Sequence, residues 1–244
     1  WPGTIPPQHS HGSSIGRGGE SSRGQRVTVT VTVTAFMAAA TKVAAFGAIL
    51  RFFYTAVPGL QSDWMPVLWV IAALTMIVGT VVGVTQHDVK RLLAYSSVAH
   101  AGFLLTGVIG YPTGASATLF YLAAYAAGTV GVFAVAGLVR TPDGAEVTNM
   151  RTGSGRGRRQ PVIAAMFAIL LLGLAGIPLT SGFVAKFAVF SAAAAGGGIV
   201  LVVIGVLTSA IAASFYVRVI VVMFFRDSEG DGAGGDGAAG TGAA

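Results

Sequence analysis

Residues 171–190 read LLGLAGIPLTSGFVAKFAVF, an apolar stretch with a Gly-Ile-Pro sequence in its first half and one lysine, Lys186, beyond it. Pro178 removes a backbone donor and clashes with the preceding turn, so a regular helix cannot run through it undisturbed. A charged side chain at the centre of a bilayer costs about 2.5–3.5 kcal/mol on insertion scales. A cost of that size usually marks a function, which makes Lys186 the first candidate functional residue.

The composition of the whole chain is that of an integral membrane protein. Of its 244 residues, 54% are hydrophobic and only 10% are charged, whereas soluble domains carry about 25% charged residues. Several apolar runs reach the ~20 residues that one helix needs to cross a bilayer. The ~10-residue alternating segments of a transmembrane barrel are absent. The sequence therefore predicts an all-α, polytopic helical bundle in a membrane.

The predicted bundle occupies residues 34–226, between a disordered or aberrant N-terminal segment, 1–33, and a flexible tail, 227–244. Its fifth apolar segment would make a helix of ~51 Å at 1.5 Å per residue, against ~30 Å of hydrocarbon. We therefore expect this segment to be broken between Leu174 and Ser181. The six predicted spans are 35–55, 65–86, 91–110, 116–139, 161–194 and 197–225.

The distribution of basic residues in the connections predicts the orientation of these spans. The connections 56–64, 111–115 and 195–196 contain no Lys or Arg. The alternate connections and the end of the last span do contain them: Lys90, Arg91, Arg140, Arg151, Arg156, Arg158, Arg159 and Arg226. Basic loops face the cytoplasm, so six spans with both chain ends cytoplasmic satisfy every loop. We interpret the net charge of +6 as a topology signal and predict no nucleic-acid partner.

Several classes of chemistry are excluded by the residues themselves. The chain has no cysteine, which rules out disulfides, thiolate metal sites, iron–sulfur ligation and cysteine nucleophiles. The sequence also contains no recognisable nucleophile–base pair, metal cluster or phosphate-binding loop. Redox chemistry, if it accompanies this chain, is expected to belong to partner proteins.

Three candidate proton-carrying residues lie deep inside the predicted spans, Lys42, His100 and Lys186, whereas Arg51 and Arg218 lie near helix ends. Only three of the fifteen basic residues are lysines, and a lysine can release its proton when desolvated, whereas arginine keeps it. Lys42 and His100 lie about 12 and 15 Å into their helices. Lys42 could instead snorkel to the interface, and His100 could simply fix helix packing. The spans contain no Asp or Glu, so an acidic partner for Lys186 would have to come from elsewhere.

Three motifs in order give the chain a family resemblance: TAFMAAATKVAAFGAILRFFY (34–54), DVKRLLAYSSVAHAGFLLTG (88–107) and LAGIPLTSGFVAKFAVF (174–190). Together they resemble the antiporter-like membrane subunits of bacterial NADH–quinone oxidoreductase (complex I), in particular subunit N of actinobacteria. The resemblance covers residues 33 to 226. In the related subunit M a glutamate stands at the position of Lys186, which favours subunit N.

The resemblance implies a fourteen-helix fold with two inverted repeats of five helices, each containing one broken helix. The six spans would match the eighth to thirteenth helices of the family. Lys42 would then be the lysine of the eighth helix and Lys186 that of the broken twelfth. With His100 they would form a proton relay in the membrane plane. The stretch RGQRVTVTVTV (23–33) departs from the family pattern, so the family's seventh-helix lysine is not assigned.

The function that the resemblance implies is proton translocation within a respiratory NADH:quinone oxidoreductase. This chain would bind no cofactor, because NADH, FMN, iron–sulfur clusters and quinone would belong to partner subunits. Its partners would be an antiporter-like neighbour and small membrane subunits in the inner (plasma) membrane. Two alternatives remain open. One is a subunit of a multi-subunit cation/proton antiporter or membrane-bound hydrogenase, and the other is a membrane scaffold that transports nothing.

Overall fold

A computed structural model of the chain describes residues 39–138 and 161–225, together with Val33, Phe36 and Met37. The predicted N-terminal segment, apart from the helical Val33, and the predicted C-terminal tail lie outside this part of the chain. Every regular element in the described ranges is helical, which confirms the predicted all-α fold class. We number the helices α1 (39–51), α2 (Gln61–Thr85), α3 (Val89–Ile109), α4 (Gly114–Leu138), α5 (Pro161–Ala175), α6 (Ser181–Ala195) and α7 (Ile199–Phe225).

Four of the described helices, α2, α3, α4 and α7, are long and apolar enough to cross a membrane by length and composition. Large apolar side chains on their outer faces are exposed, such as Val70 and Leu74 of α2. Helix α1 continues into a π-helical turn, Phe52–Ala56, and a 3-10 turn, Pro58–Leu60, before α2 begins. The second span therefore starts at Gln61, four residues before its predicted start, and its neighbours also differ from prediction by a few residues.

The predicted fifth span is divided into two short helices, α5 and α6, of 15 residues each. Each half is ~22 Å long at 1.5 Å per residue, which is shorter than the ~30 Å of hydrocarbon. The segment between them, residues 176–180, lies inside the predicted break. Gly176 and Leu179 both have φ of 77°, in the left-handed region that a continuing right-handed helix does not allow. The predicted broken helix is thus confirmed.

Helix α3 is the most enclosed of the four long helices. In its most apolar window 72% of the residues are buried, against 33–39% in α2, α4 and α7. Asp88 caps its first turn, since the carboxylate accepts hydrogen bonds from the backbone N–H groups of Lys90 and Arg91. Lys90 and Arg91 themselves are exposed at this helix end. The enclosure of α3 places its polar residues near the centre of the described bundle.

The buried apolar side chains form two separate clusters along α3. One cluster contains Leu92 and Leu93 near the start of the helix, packed with residues of α4, α5 and α7. The other contains the residues from Phe103 to Ile109 toward its end, packed with residues of α1, α2, α4 and α6. Ser96, Ser97 and His100 lie on α3 between these two stretches. A polar layer, which contains these three residues, therefore lies where the two apolar clusters meet.

Candidate functional site

Lys186 projects from α6 toward the end of α5 and is 4% exposed. Its Nζ donates to the backbone carbonyls of Ala175 at 2.8 Å and Leu174 at 3.4 Å. It also donates to the Ser209 hydroxyl on α7 at 2.9 Å, and it lies 5.0 Å from the centroid of the Phe103 ring. The acceptors are two carbonyls and a hydroxyl, so the ammonium group is held by neutral partners.

The break in the helix supplies these carbonyl groups. The last four carbonyls of any helix lack partners within it, and the aligned peptide dipoles place about half a negative charge at that end. Because α5 ends at Ala175 in mid-bundle, the carbonyls of Leu174 and Ala175 face Lys186, while those of Leu172 and Gly173 accept from backbone N–H groups at the break. Thr180 caps the start of α6: its hydroxyl accepts from the N–H of Phe183 at 3.3 Å and donates to the Ile177 carbonyl at 2.7 Å.

Lys42 projects from α1 toward α3 and α4 and is half-buried. Its Nζ donates to the backbone carbonyl of Ser97 at 2.7 Å and to the Ser97 hydroxyl. It donates as well to the Tyr125 hydroxyl at 2.9 Å and lies 4.6 Å from the centroid of that ring. The ammonium group thus turns into the bundle, where all three of its protons have acceptors, and does not extend along the helix surface.

His100 lies between the two lysines, in the middle of α3, and is 3% exposed. Its Nδ1 is 2.5 Å from the Tyr121 hydroxyl on α4, and its Nε2 is 3.3 Å from the Tyr216 hydroxyl on α7. A neutral imidazole has one donor and one acceptor nitrogen, so one phenol donates to the ring and the other accepts from it. The Tyr125 ring packs 4.7 Å from the imidazole, centroid to centroid.

The three predicted residues, Lys42, His100 and Lys186, are brought into one connected polar layer. The Tyr125 side chain contacts both Lys42 and His100. The Phe103 ring contacts both His100 and Lys186: its centroid lies 5.7 Å from that of the His100 ring and 5.0 Å from Lys186 Nζ. A cavity of about 560 Å³ among α3, α4, α5 and α6 is lined by His100, Lys186 and the residues at the break. Its polar lining also includes Tyr121, Tyr125, Thr180 and Ser181.

Sequence reasoning did not single out the tyrosines that hold His100 or the serine that binds Lys186. The helical spacing of these residues in the sequence could have indicated them. Tyr121 and Tyr125 are four residues apart on an Ala/Gly-rich helix, and residues at that spacing share a helix face. Ser209 and Tyr216 are seven apart on α7 and share a face for the same reason. What the pattern could not show is that both faces point at His100 and Lys186.

Comparison with known proteins identifies the family. The family described as "NADH:quinone oxidoreductase/Mrp antiporter, TM" matches residues 26–212. NADH-quinone oxidoreductase subunit N of Mycobacteroides abscessus is 62% identical over 211 residues, covering 82% of this chain and 39% of that protein. Subunit N of Rhodococcus opacus is 60% identical over 200 residues, covering 82% of this chain and 37% of that protein. The chain thus spans less than two-fifths of the length of these curated relatives.

Solved structures agree with this assignment. Respiratory complex I from Thermus thermophilus contains a chain that is 33% identical with a TM-score of 0.59, covering 66% of this chain and 36% of that one. The Mrp complex from Dietzia sp. contains one that is 27% identical with a TM-score of 0.70, covering 76% of this chain and 34% of that one. The chain belongs to the NADH:quinone oxidoreductase/Mrp antiporter transmembrane family, and its curated relatives are subunit N of NADH-quinone oxidoreductase.

Proposed function

We propose that this chain is part of a proton-translocating membrane subunit of a respiratory NADH–quinone oxidoreductase, in which Lys42, His100 and Lys186 relay protons. The observation that carries the proposal is the polar layer between the two apolar clusters. Within that layer each of the three ionisable groups is hydrogen-bonded, and in the described part of the chain their partners are carbonyls and hydroxyls. A group held by neutral partners can change its charge without leaving an unpaired counter-charge in the membrane.

A polar layer with an apolar cluster on either side suits proton transfer parallel to the membrane plane. The apolar clusters on either side consist mainly of aliphatic and phenyl side chains, which offer few hydrogen-bonding groups to a proton that crosses the membrane directly. The cavity beside His100 and Lys186, at about 560 Å³, is large enough for a chain of water molecules, each of which occupies about 30 Å³ in the liquid. Protons would pass between His100 and Lys186 through that cavity, along the layer and not across it.

Protonation of the lysines would be driven electrostatically by the partner subunits. A unit charge arriving or leaving several ångströms away changes the energy of an ammonium group by kcal/mol amounts where the effective dielectric constant is ~20 or lower. Quinone reduction elsewhere in the complex would thereby shift the equilibria of Lys42 and Lys186. In this account NADH, FMN, iron–sulfur clusters and quinone are bound by partners in the plasma membrane, and this chain supplies only the proton path.

A second candidate function is that of a subunit in a multi-subunit cation/proton antiporter. The likeness to the Dietzia Mrp complex, with a TM-score of 0.70, favours it, because both assemblies use this fold. The same polar layer would serve either role. The identity to curated relatives of the oxidoreductase, at 60–62%, places the oxidoreductase first.

Inside-out membrane vesicles that contain the assembled complex test the assignment. Adding NADH should acidify the vesicle lumen in sodium-free buffer, and Lys42→Met should reduce this acidification per NADH oxidised while the complex still assembles. Proton movement that requires a sodium gradient and proceeds without NADH would instead assign the chain to an antiporter. If acidification is unchanged in both Lys42→Met and Lys186→Met, the chain is a membrane scaffold that transports nothing.

A further inference from the structure

Tyr125 contacts both Lys42 and the cavity that His100 and Lys186 share. Its hydroxyl accepts a hydrogen bond from Lys42 Nζ at 2.9 Å, and its side chain lines the cavity. Its ring lies 4.6 Å from Lys42 Nζ and 4.7 Å from the His100 ring centroid. The phenol therefore stands between the two ionisable groups.

The hydrogen bonds of Lys42 require one partner to change its role when the proton leaves. An ammonium group has three N–H donors and no acceptor, and here all three are used, on the Ser97 carbonyl, the Ser97 hydroxyl and the Tyr125 hydroxyl. After one proton is lost, the nitrogen carries a lone pair that needs a donor. The Ser97 carbonyl cannot donate, which leaves the two hydroxyl groups.

Of these two hydroxyl groups, that of Tyr125 is the better suited to pass a proton on. A phenol is a much stronger acid than an aliphatic hydroxyl and gives up its proton more readily. Tyr125 also lines the cavity, and Ser97 is not among its lining residues. A proton given to Ser97 would go no further by this route, while one given to Tyr125 reaches the cavity.

We propose that Tyr125 is a relay residue that carries protons between Lys42 and the cavity shared by His100 and Lys186. In the forward step an N–H bond of Lys42 breaks as an O–H bond to the Tyr125 oxygen forms. The phenol's original O–H bond breaks at the same time and its proton passes to a water molecule in the cavity. Once Lys42 has taken up another proton, rotation of the Tyr125 hydroxyl back toward the cavity restores the starting arrangement. This inference rests on the proposed function, since it names a further member of the same proton path.

The Tyr121 hydroxyl can receive the proton that Tyr125 releases into the cavity. The Tyr121 hydroxyl lies one helical turn from Tyr125 on α4, lines the same cavity and contacts Nδ1 of His100 at 2.5 Å. A proton released by Tyr125 can thus reach the imidazole through Tyr121, and the imidazole can pass one on from Nε2 toward Tyr216. Two phenols precede the imidazole on this route and a third follows it, and the route starts at Lys42.

The test is proton flux per NADH oxidised in vesicles that contain the assembled complex, with Tyr125→Phe compared with Tyr54→Phe. The control also removes one partly buried phenol hydroxyl, which donates to the Val108 carbonyl at 3.2 Å, away from the polar layer. We expect Tyr125→Phe to lower the flux about tenfold or more, since proton-transfer groups typically contribute 10²–10⁴-fold. Tyr54→Phe should keep its proton flux, and Ser97→Ala should lower the flux less than Tyr125→Phe does.

Normal flux in Tyr125→Phe, beside a flux abolished by Lys42→Met, would overturn the relay role of Tyr125 and leave the proposed function standing. Normal flux in both variants would overturn the two together. A second measurement does not depend on how Tyr125→Phe folds: replacing Tyr125 by difluorotyrosine keeps its shape and makes the hydroxyl more acidic. The alkaline fall in flux should then move to lower pH, whereas an unmoved pH profile would contradict a proton-carrying role.

Discussion

At the scale of single residues, Lys186 shows how a bilayer protein can hold a charge without an acid. Its cost of about 2.5–3.5 kcal/mol at the bilayer centre is offset by bonds to Leu174, Ala175 and Ser209, since hydrogen bonds to charged groups contribute about 1.5–3 kcal/mol each. From the sequence, an acidic partner in the spans could be excluded. The carbonyl partners could not be foreseen, because they depend on which residue ends α5 and on how α6 folds back.

The histidine site leads to a prediction about stability. His100→Phe leaves the buried hydroxyl of Tyr121 without its imidazole partner, at a cost of about 1–3 kcal/mol for an unsatisfied group. Adding Tyr121→Phe to that variant should recover part of the loss, so the two changes are expected to be non-additive by about 1 kcal/mol or more. Unfolding in detergent measures this coupling. Tyr54→Phe combined with His100→Phe is the additive control, and additivity in both pairs would argue against the Tyr121–His100 bond.

At the scale of elements, the break between α5 and α6 decides the geometry of the site. Its position followed from the sequence, because Pro178 and the neighbouring glycines cannot sustain a 34-residue straight helix. The left-handed backbone at Leu179 could not be foreseen, since leucine rarely adopts that conformation. Helical periodicity likewise indicated which residues of α4 share a face, but gave no information on which helix that face contacts.

Two glycines on opposite sides of the break provide a matched pair of variants. A Cβ at Gly182 would clash with the backbone carbonyl oxygen of Gly173, while a Cβ at Gly173 would meet open space. We expect Gly182→Ala to destabilise the protein by about 1–3 kcal/mol through overpacking. Gly173→Ala should be neutral or stabilise it by up to about 1 kcal/mol, because alanine favours the helix. Thermal unfolding compares the stability of the two variants. An equal loss of stability in both would show that α5 and α6 do not approach each other closely at Gly182.

At the scale of the whole molecule, the described helices enclose one polar layer between two apolar clusters. Along α3 the cluster with Leu92 comes first, whereas along α4 and α7 the cluster with Phe103 comes first. All three helices cross both clusters, so the layering is a property of the bundle and not of one helix. The sequence predicted which ionisable residues are buried. It could not predict the layer itself, because the tyrosines that complete it come from helices distant in the chain.

The orientation of the bundle is open to direct measurement. The chain has no cysteine, so single-cysteine variants can be labelled without background. His87 and Thr113 are exposed in the connections before α3 and α4. From the basic residues that follow His87 we expect a membrane-impermeant maleimide to label His87→Cys in inside-out vesicles, and Thr113→Cys in right-side-out vesicles. The reverse pattern would contradict the predicted orientation.

If Lys186 relays protons, it must both bind and release one, which a comparison of Lys186→Met with Lys186→Arg tests. Arginine keeps the positive charge and hydrogen-bonding capacity but, with a pKa above ~12, does not release its proton near neutral pH. The measurement is proton flux per NADH oxidised in vesicles that contain equal amounts of assembled complex. We expect both variants to lose flux. Near-normal flux in Lys186→Arg, but not in Lys186→Met, would contradict the relay role and make Lys186 a fixed charge that serves only the structure.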